Sequence, residues 1–137
     1  MNTHARDHAL APLTEKIIGC FYSVYNELGP GFLESVYSRS LQLALEQAGL
    51  KVEREVEINV HFRSQLVGVF KADLIVENKV ILELKSARAI DSMHESQLLN
   101  YLRATNIEIG LLFNFGPKPQ FRRLAYSNPR KNLRSSA

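Results

Sequence analysis

The residues best equipped for chemistry lie in one short stretch, KADLIVENKVILELKS, from Lys71 to Ser86: Asp73, a gap of nine residues, then Glu83-Leu84-Lys85. Two carboxylates from adjacent strands can hold a hard divalent cation such as Mg²⁺ or Mn²⁺. Mg²⁺ typically takes only one or two protein carboxylates and keeps several waters. A lysine beside such an ion can orient or help deprotonate a water and offset charge on a phosphorane-like transition state. These are the parts of phosphodiester hydrolysis.

The stretch itself predicts a hairpin. Leu74-Ile75-Val76 and Val80-Ile81-Leu82 flank the polar break Glu77-Asn78-Lys79. Strict alternation gives Ala72, Leu74 and Val76 one face and Asp73 and Ile75 the other. On the second strand Val80, Leu82 and Leu84 oppose Ile81, Glu83 and Lys85. Pairing Ile75 with Ile81 across a turn centred on Asn78 sets Asp73 opposite Glu83, with Lys85 two residues further along. Opposed carboxylates repel unless a cation or a shared proton offsets the cost, which points to a metal. Spacing alone gives equal weight to a solvated outer face of an antiparallel sheet, and a one-residue slip would separate the two acids.

The elements that must position this hairpin follow from periodicity. Leu13 to Leu28 carries Ile17, Ile18, Phe21, Tyr22, Val24, Tyr25 and Leu28 at helical spacing, and Gly29-Pro30-Gly31 must interrupt it. A second helix is predicted over Phe32–Ala48, with Leu33, Val36, Tyr37, Leu41 and Ala44 as its buried stripe. Glu34 stands near its start, where the helix dipole favours an acid. Lys51 to Arg63 alternates as a strand, and the hairpin's first strand begins near Gln65 or Leu66. Asp91 to Thr105 predicts a third helix, with Asp91 or Ser92 as N-cap and Met93, Leu98, Tyr101 and Leu102 as its stripe. Ile107 to Phe115 suits a strand buried on both faces, and Phe121 to Tyr126 an edge strand. The order, α-α-β-β-β-α-β-β, is an α/β arrangement with a mixed central sheet flanked by helices.

Length and composition set bounds. A chain of 137 residues, 45% hydrophobic, fits one domain with a real core, expected over residues 11–127. Residues 1–10 are expected to form a flexible arm and 128–137 a disordered basic tail. Seventeen Lys and Arg against fourteen Asp and Glu leave a net charge of +3, compatible with a polyanionic partner. The single cysteine, Cys20, lies in an apolar helical pattern, so it forms no disulfide within the chain, and it fits a reduced, cytoplasmic setting. No window is apolar enough for a membrane span, and the first twelve residues lack a signal core. His4, His8, His61 and His94 show no ligand spacing, and LGPGFLES lacks the lysine of a phosphate-binding loop.

Asp73 and Glu83-x-Lys85 on a hairpin between helices resemble the PD-(D/E)XK nuclease superfamily, with a restriction-endonuclease-like core. Gly31-Phe-Leu-Glu34-Ser-Val-Tyr37 is a literal GxxExxY, which resembles the small group named for that signature, and Gln97-x-x-x-Tyr101 resembles the QxxxY motif of RecB-like members. The resemblance spans roughly residues 14–127. It departs at Ala72, where the signature has proline.

The resemblance implies Asp73 and Glu83 as metal ligands, the Leu84 carbonyl as a third, and Lys85 as the water-positioning cation. Glu34 would join as a further ligand or through a water; the helix-dipole reading competes with this. Gln97 and Tyr101 share a helical face, with His94 one turn earlier. The resemblance gives these three and Tyr37 a substrate-binding role, against core packing for the tyrosines and a solvated face for Gln97. Arg122 and Arg123, with Lys118, Arg130, Lys131 and Arg134, could contact phosphates without reading sequence, or could simply be solvated. The implied activity is Mg²⁺- or Mn²⁺-dependent cleavage of nucleic acid, DNA first, with a homodimer as one way to cut both strands. The rival is a catalytically silent nucleic-acid-binding or protein-interaction module that keeps the fold.

Overall fold

The computed structural model describes residues 9–127; the expectations for the arm before Ala9 and for the tail from residue 128 lie outside them. The described chain runs α1 (Ala11–Leu28), α2 (Glu34–Gln47), β1 (Val52–Phe62), β2 (Gln65–Val76), β3 (Val80–Lys85), α3 (Ser92–Arg103), β4 (Ile109–Phe115) and β5 (Pro119–Ala125). This is the α/β order that the periodicity predicts. Among the described residues no helix is long and apolar enough to cross a membrane.

The five strands form one sheet in chain order. All neighbours are antiparallel except β3 and β4, which run parallel and are joined through α3. On one face α1 and α2 deliver Ile17, Phe21, Tyr37, Leu41 and Leu45 onto Leu74, Val76, Leu82 and Leu84 of the hairpin and Leu111, Phe113 and Phe115 of β4. On the other, Leu98, Tyr101 and Leu102 of α3 cover Ile58, Ala72, Ile75, Ile81 and Leu112. With helices on both faces, β4 is buried along its whole length.

The helix ends explain where boundaries shift. α1 begins at Ala11, two residues early, because Pro12 is tolerated in a first turn whose N–H groups have no partner in the helix. α2 begins at Glu34, two residues late, because Gly31 is left-handed at φ 108° and Leu33 is extended. Leu33 therefore lies outside the helix at 77% exposure, Val36 is also exposed, and the stripe that packs is Tyr37, Leu41 and Leu45. Met93, expected inward, is exposed at the start of α3. Asp91 is the N-cap: its carboxylate accepts the Met93 and His94 N–H groups at 2.8 and 3.1 Å, and His94 Nδ1 accepts the Asp91 N–H at 3.3 Å.

The hairpin register is Leu74 with Leu82, Ile75 with Ile81 and Val76 with Val80, around Glu77 and Asn78 in the left-handed region. The faces differ from simple alternation. Leu74 and Val76 pack toward α1 and α2, but Ala72 packs toward α3. On β1, Val52 lies on the first face while Val56 and Ile58 lie on the second. Both strands change face at the same rung, where Glu55 and Asp73 would meet between the pairs Arg54–Leu74 and Val56–Ala72. Glu55 is left-handed there, at φ 53°, and the Glu55–Asp73 rung is missing from the ladder. The expected single apolar layer of Ala72, Leu74 and Val76 is thus divided between two faces.

Candidate active site

Asp73 falls at the break on both sides. Its ladder with β1 lapses at Glu55, and its pairing with β3 stops at Leu74–Leu82. Side chains replace the missing strand partners: the Asp73 N–H donates to Glu83 Oε1 at 3.1 Å, and Asp73 Oδ2 accepts the Leu84 N–H at 2.8 Å. The two carboxyl groups are held against each other by the backbone that carries them.

Burial sets their electrostatics. Glu83 is only 3% exposed and Asp73 partly buried, so this is no solvated strand face. Burial raises the Asp73 pKa, against the opposing pull of the Leu84 N–H and the Lys85 charge. Burial, then the Asp73 charge, pushes Glu83 from its ordinary 4.5 up to about 8, again against the Asp73 N–H and Lys85. Near neutral pH and without a cation, the two carboxyls together retain a proton.

Lys85 ends β3, in register with Asn114 on β4. Asn114 is fully buried and grips the chain just past the lysine: its Oδ1 accepts the Ala87 N–H and its Nδ2 donates to the Ala87 carbonyl, both at 2.9 Å. Gly116 completes this contact, because a Cβ there would collide with the Ala87 carbonyl. The Asn114-Phe115-Gly116 run thus fixes the segment that leaves the site, a role that no spacing rule announced.

Glu34 approaches from α2. It lines a cavity of about 210 Å³ with Ser35, Ser38, Arg54, Glu55, Asp73 and Leu84. Arg54 and Glu55 were not expected there: in β1 they are two charged residues among several. Arg54 shares the face of Val52 by alternation, and the left-handed turn of the backbone at Glu55 accompanies the second acid into the cavity. Arg54 Nε is buried without a hydrogen-bond partner. Among the described residues, no three His, Cys, Asp or Glu side chains converge as a metal cage, so Glu34 shares the cavity with Asp73 without closing a three-ligand set.

Tyr37 stands beneath this cavity's helix rather than in it. It is fully buried and stacked on Phe115 with centroids 4.3 Å apart; its hydroxyl donates to the Gly29 carbonyl at 2.6 Å and accepts the Phe32 N–H at 3.1 Å. The GxxExxY tyrosine therefore ties down the loop whose end places Glu34.

On the opposite side, Gln97 Nε2 donates to the Tyr101 hydroxyl at 3.0 Å. Burial and then the Glu83 charge raise the Tyr101 pKa, which puts its hydroxyl within electrostatic reach of the carboxyl pair. His94 caps α3 and lines the same groove as Gln97 and Tyr101. Arg122 and Arg123 line neither the cavity of Glu34 nor this groove. They are exposed on β5 opposite Leu112 and Leu111, which pack on different faces, and Arg122 Nε lies 3.4 Å from Glu95 of α3.

Comparison with known proteins fits this geometry. No curated protein matches the chain. The solved structure of the protein SSO0001 superimposes with a TM-score of 0.53 at 20% identity, over 72% of this chain and 52% of that one, a likeness of fold alone. The present chain spans about half of that protein's length. The family model of the PD-(D/E)XK nuclease superfamily matches residues 11–124, from the first residue of α1 to within one residue of the end of β5. With nearly the whole described fold inside that match, the chain belongs to the PD-(D/E)XK nuclease superfamily.

Proposed function

We propose that this chain is a metal-dependent nuclease that hydrolyses backbone phosphodiester bonds of nucleic acid, DNA foremost, through Asp73, Glu83 and Lys85. The observation that carries the reading is the buried carboxyl pair at an interrupted rung, followed two residues later by a lysine. Members of the superfamily generally use divalent metal ions. The donor set fits such an ion: two hard oxygen ligands in a desolvated site, one holding a proton that a cation would displace. A bound Mg²⁺ or Mn²⁺ would supply Lewis-acid polarisation of the phosphate and of a water.

The chain's own residues do the rest. Asp73 and Glu83 would hold the cation, and the Leu84 N–H fixes the Asp73 carboxylate. Lys85 orients the attacking water and faces the charge that develops on phosphorus. Glu34 contributes through a water across the cavity that it shares with Asp73. The water's oxygen bonds to phosphorus as the bond to the 3′ oxygen breaks, leaving a 5′-phosphate and a 3′-hydroxyl. Gln97, Tyr101 and His94 contact the substrate from α3, and Arg122 and Arg123 contribute phosphate affinity from the two faces of β5.

The placement of Gly31, Glu34 and Tyr37 at the start of α2 supports membership of the GxxExxY group. The partly buried thiol of Cys20 suits a reducing cytoplasm, and cutting both strands of a duplex would engage two copies. Incubation with single- and double-stranded DNA and RNA in Mg²⁺ or Mn²⁺ tests the reading. Cleavage lost in Asp73→Ala and Lys85→Ala supports it, and cleavage unchanged in both removes the assigned site.

A further inference from the structure

We propose that the groove between the outer half of the β1–β2 hairpin and α3 receives an unstacked base of single-stranded nucleic acid, beside the bond held at Asp73 and Glu83. The inference rests on the nuclease reading of that site and names its substrate as a single strand.

The groove is a consequence of the change of face at Glu55 and Asp73. Beyond that rung, Val60 and Phe70 turn toward α3, where strict alternation from Leu74 would have aimed them away. They face Met93 and Tyr101 across about 850 Å³ of predominantly apolar space, with the amides of Gln97 and Asn100 among the lining. Phe70 is 47% exposed and Met93 78% exposed, a large apolar surface for a chain to leave in water. The Phe70 and Tyr101 rings lie 6.0 Å apart at 44°, so they are not stacked flat on one another.

A flat ligand with apolar faces and a polar edge matches this lining. Phe70 and Met93 meet a face, and the amides meet donors and acceptors at the rim. A phosphate backbone does not match apolar walls, and a duplex keeps its bases stacked inside, so the fitting ligand is a base of an open strand. Tyr101, whose hydroxyl is held by Gln97, lines the groove and also feels the charges of Glu83 and Asp73, so it stands between the groove and the carboxyl pair. Phe70 lies three residues before Asp73 on the same strand, ~10 Å along it. Arg103, also on the groove, supplies a cation for the departing backbone.

The test is binding of a labelled single-stranded oligonucleotide and of the same sequence as a duplex, DNA and RNA in turn, each carrying 2-aminopurine. It uses the full chain with Phe70→Ala and Phe70→Trp. The single strand is expected to bind at least tenfold more tightly than the duplex, with the 2-aminopurine fluorescence quenched. Phe70→Ala should weaken single-strand binding about tenfold and relieve the quenching, and Phe70→Trp should keep both. Because Phe70 is half exposed, both variants should keep their melting temperatures. Equal affinity for duplex, an unquenched base, or an unchanged Phe70→Ala overturns the proposal, as does a groove filled by a second copy, seen as a dimer that Phe70→Ala dissociates. Failure of the nuclease reading looks different: wild type cuts nothing in any metal, while the binding and quenching results still decide the groove.

Discussion

The backbone N–H of Asp73 donates to the carboxyl of Glu83 at 3.1 Å, in the position where a strand carbonyl would ordinarily receive it. A break in the ladder is normally costly, because buried N–H and C=O groups seek partners. Here the catalytic candidates are themselves the replacement partners. Their orientation is therefore tied to the sheet, and several consequences follow for their titration and for the residues that hold them.

Metal-free protein should lose stability as pH rises. The Glu83 carboxyl titrates at about 8 when folded, against an ordinary 4.5, so the folded state holds a proton that the unfolded state releases. The stabilisation is fully present below about 4.5 and disappears as pH climbs through 8. Thermal melts in chelator from pH 5 to 9 should show a falling Tm. Glu83→Gln should flatten that slope and melt above wild type at pH 9.

Divalent metal should reverse this trend. Cation binding must displace the proton that the pair holds, so calorimetry near pH 7 in buffers of different ionisation enthalpy should register proton release. The release should fade above pH 9, and Glu83→Gln should show none. At pH 8.5 the metal should raise the Tm of wild type by several degrees more than that of Glu83→Gln.

Tyr37→Phe isolates the hydroxyl that joins Gly29 to Phe32. With the ring still stacked on Phe115, the expected loss is about 1–3 kcal/mol in denaturant unfolding. Cleavage should fall further than stability explains, because the loop end that places Glu34 is released. A variant that unfolds earlier yet cuts at the wild-type rate would disconnect Tyr37 from the site.

Asn114→Ala removes both hydrogen bonds to Ala87 and leaves that backbone unpartnered near Lys85. A loss of about 2–4 kcal/mol is expected. Asn114→Asp keeps the acceptor but turns a carboxyl oxygen onto the Ala87 carbonyl in a buried site, so it too should fall well below wild type. The three stabilities in urea check the assignment.

The sequence made the scaffold legible where one element's pattern decides its own fate. The apolar runs around Glu77-Asn78-Lys79 gave the Ile75–Ile81 register, and GLLFNF marked the strand buried on both faces. The cap of α3 was readable as Asp91 or Ser92 because side-chain capping is local chemistry, and it is Asp91. What escaped depends on two elements at once. The change of face at Glu55 and Asp73 needs both strands, and a left-handed glutamate carries no warning in its residue type. That one rung moves Ala72 to the other face, brings Glu55 to the cavity of Glu34, and turns Phe70 toward α3. The burial of Tyr37 was legible in its helical stripe, but its hydrogen bonds and those of Asn114 escaped for a related reason: they reach backbone that spacing cannot locate.

The central claim is that the Asp73–Glu83 pair and Lys85 form a hydrolytic centre. Its most direct test is single-turnover cleavage of a labelled single-stranded oligonucleotide in Mg²⁺ by wild type, Asp73→Asn and Lys85→Ala, each verified as folded by its melting curve. Wild type should cut and leave 5′-phosphate ends, and each variant should be slower by about 10²–10³-fold. Cleavage by either variant at the wild-type rate would contradict the account.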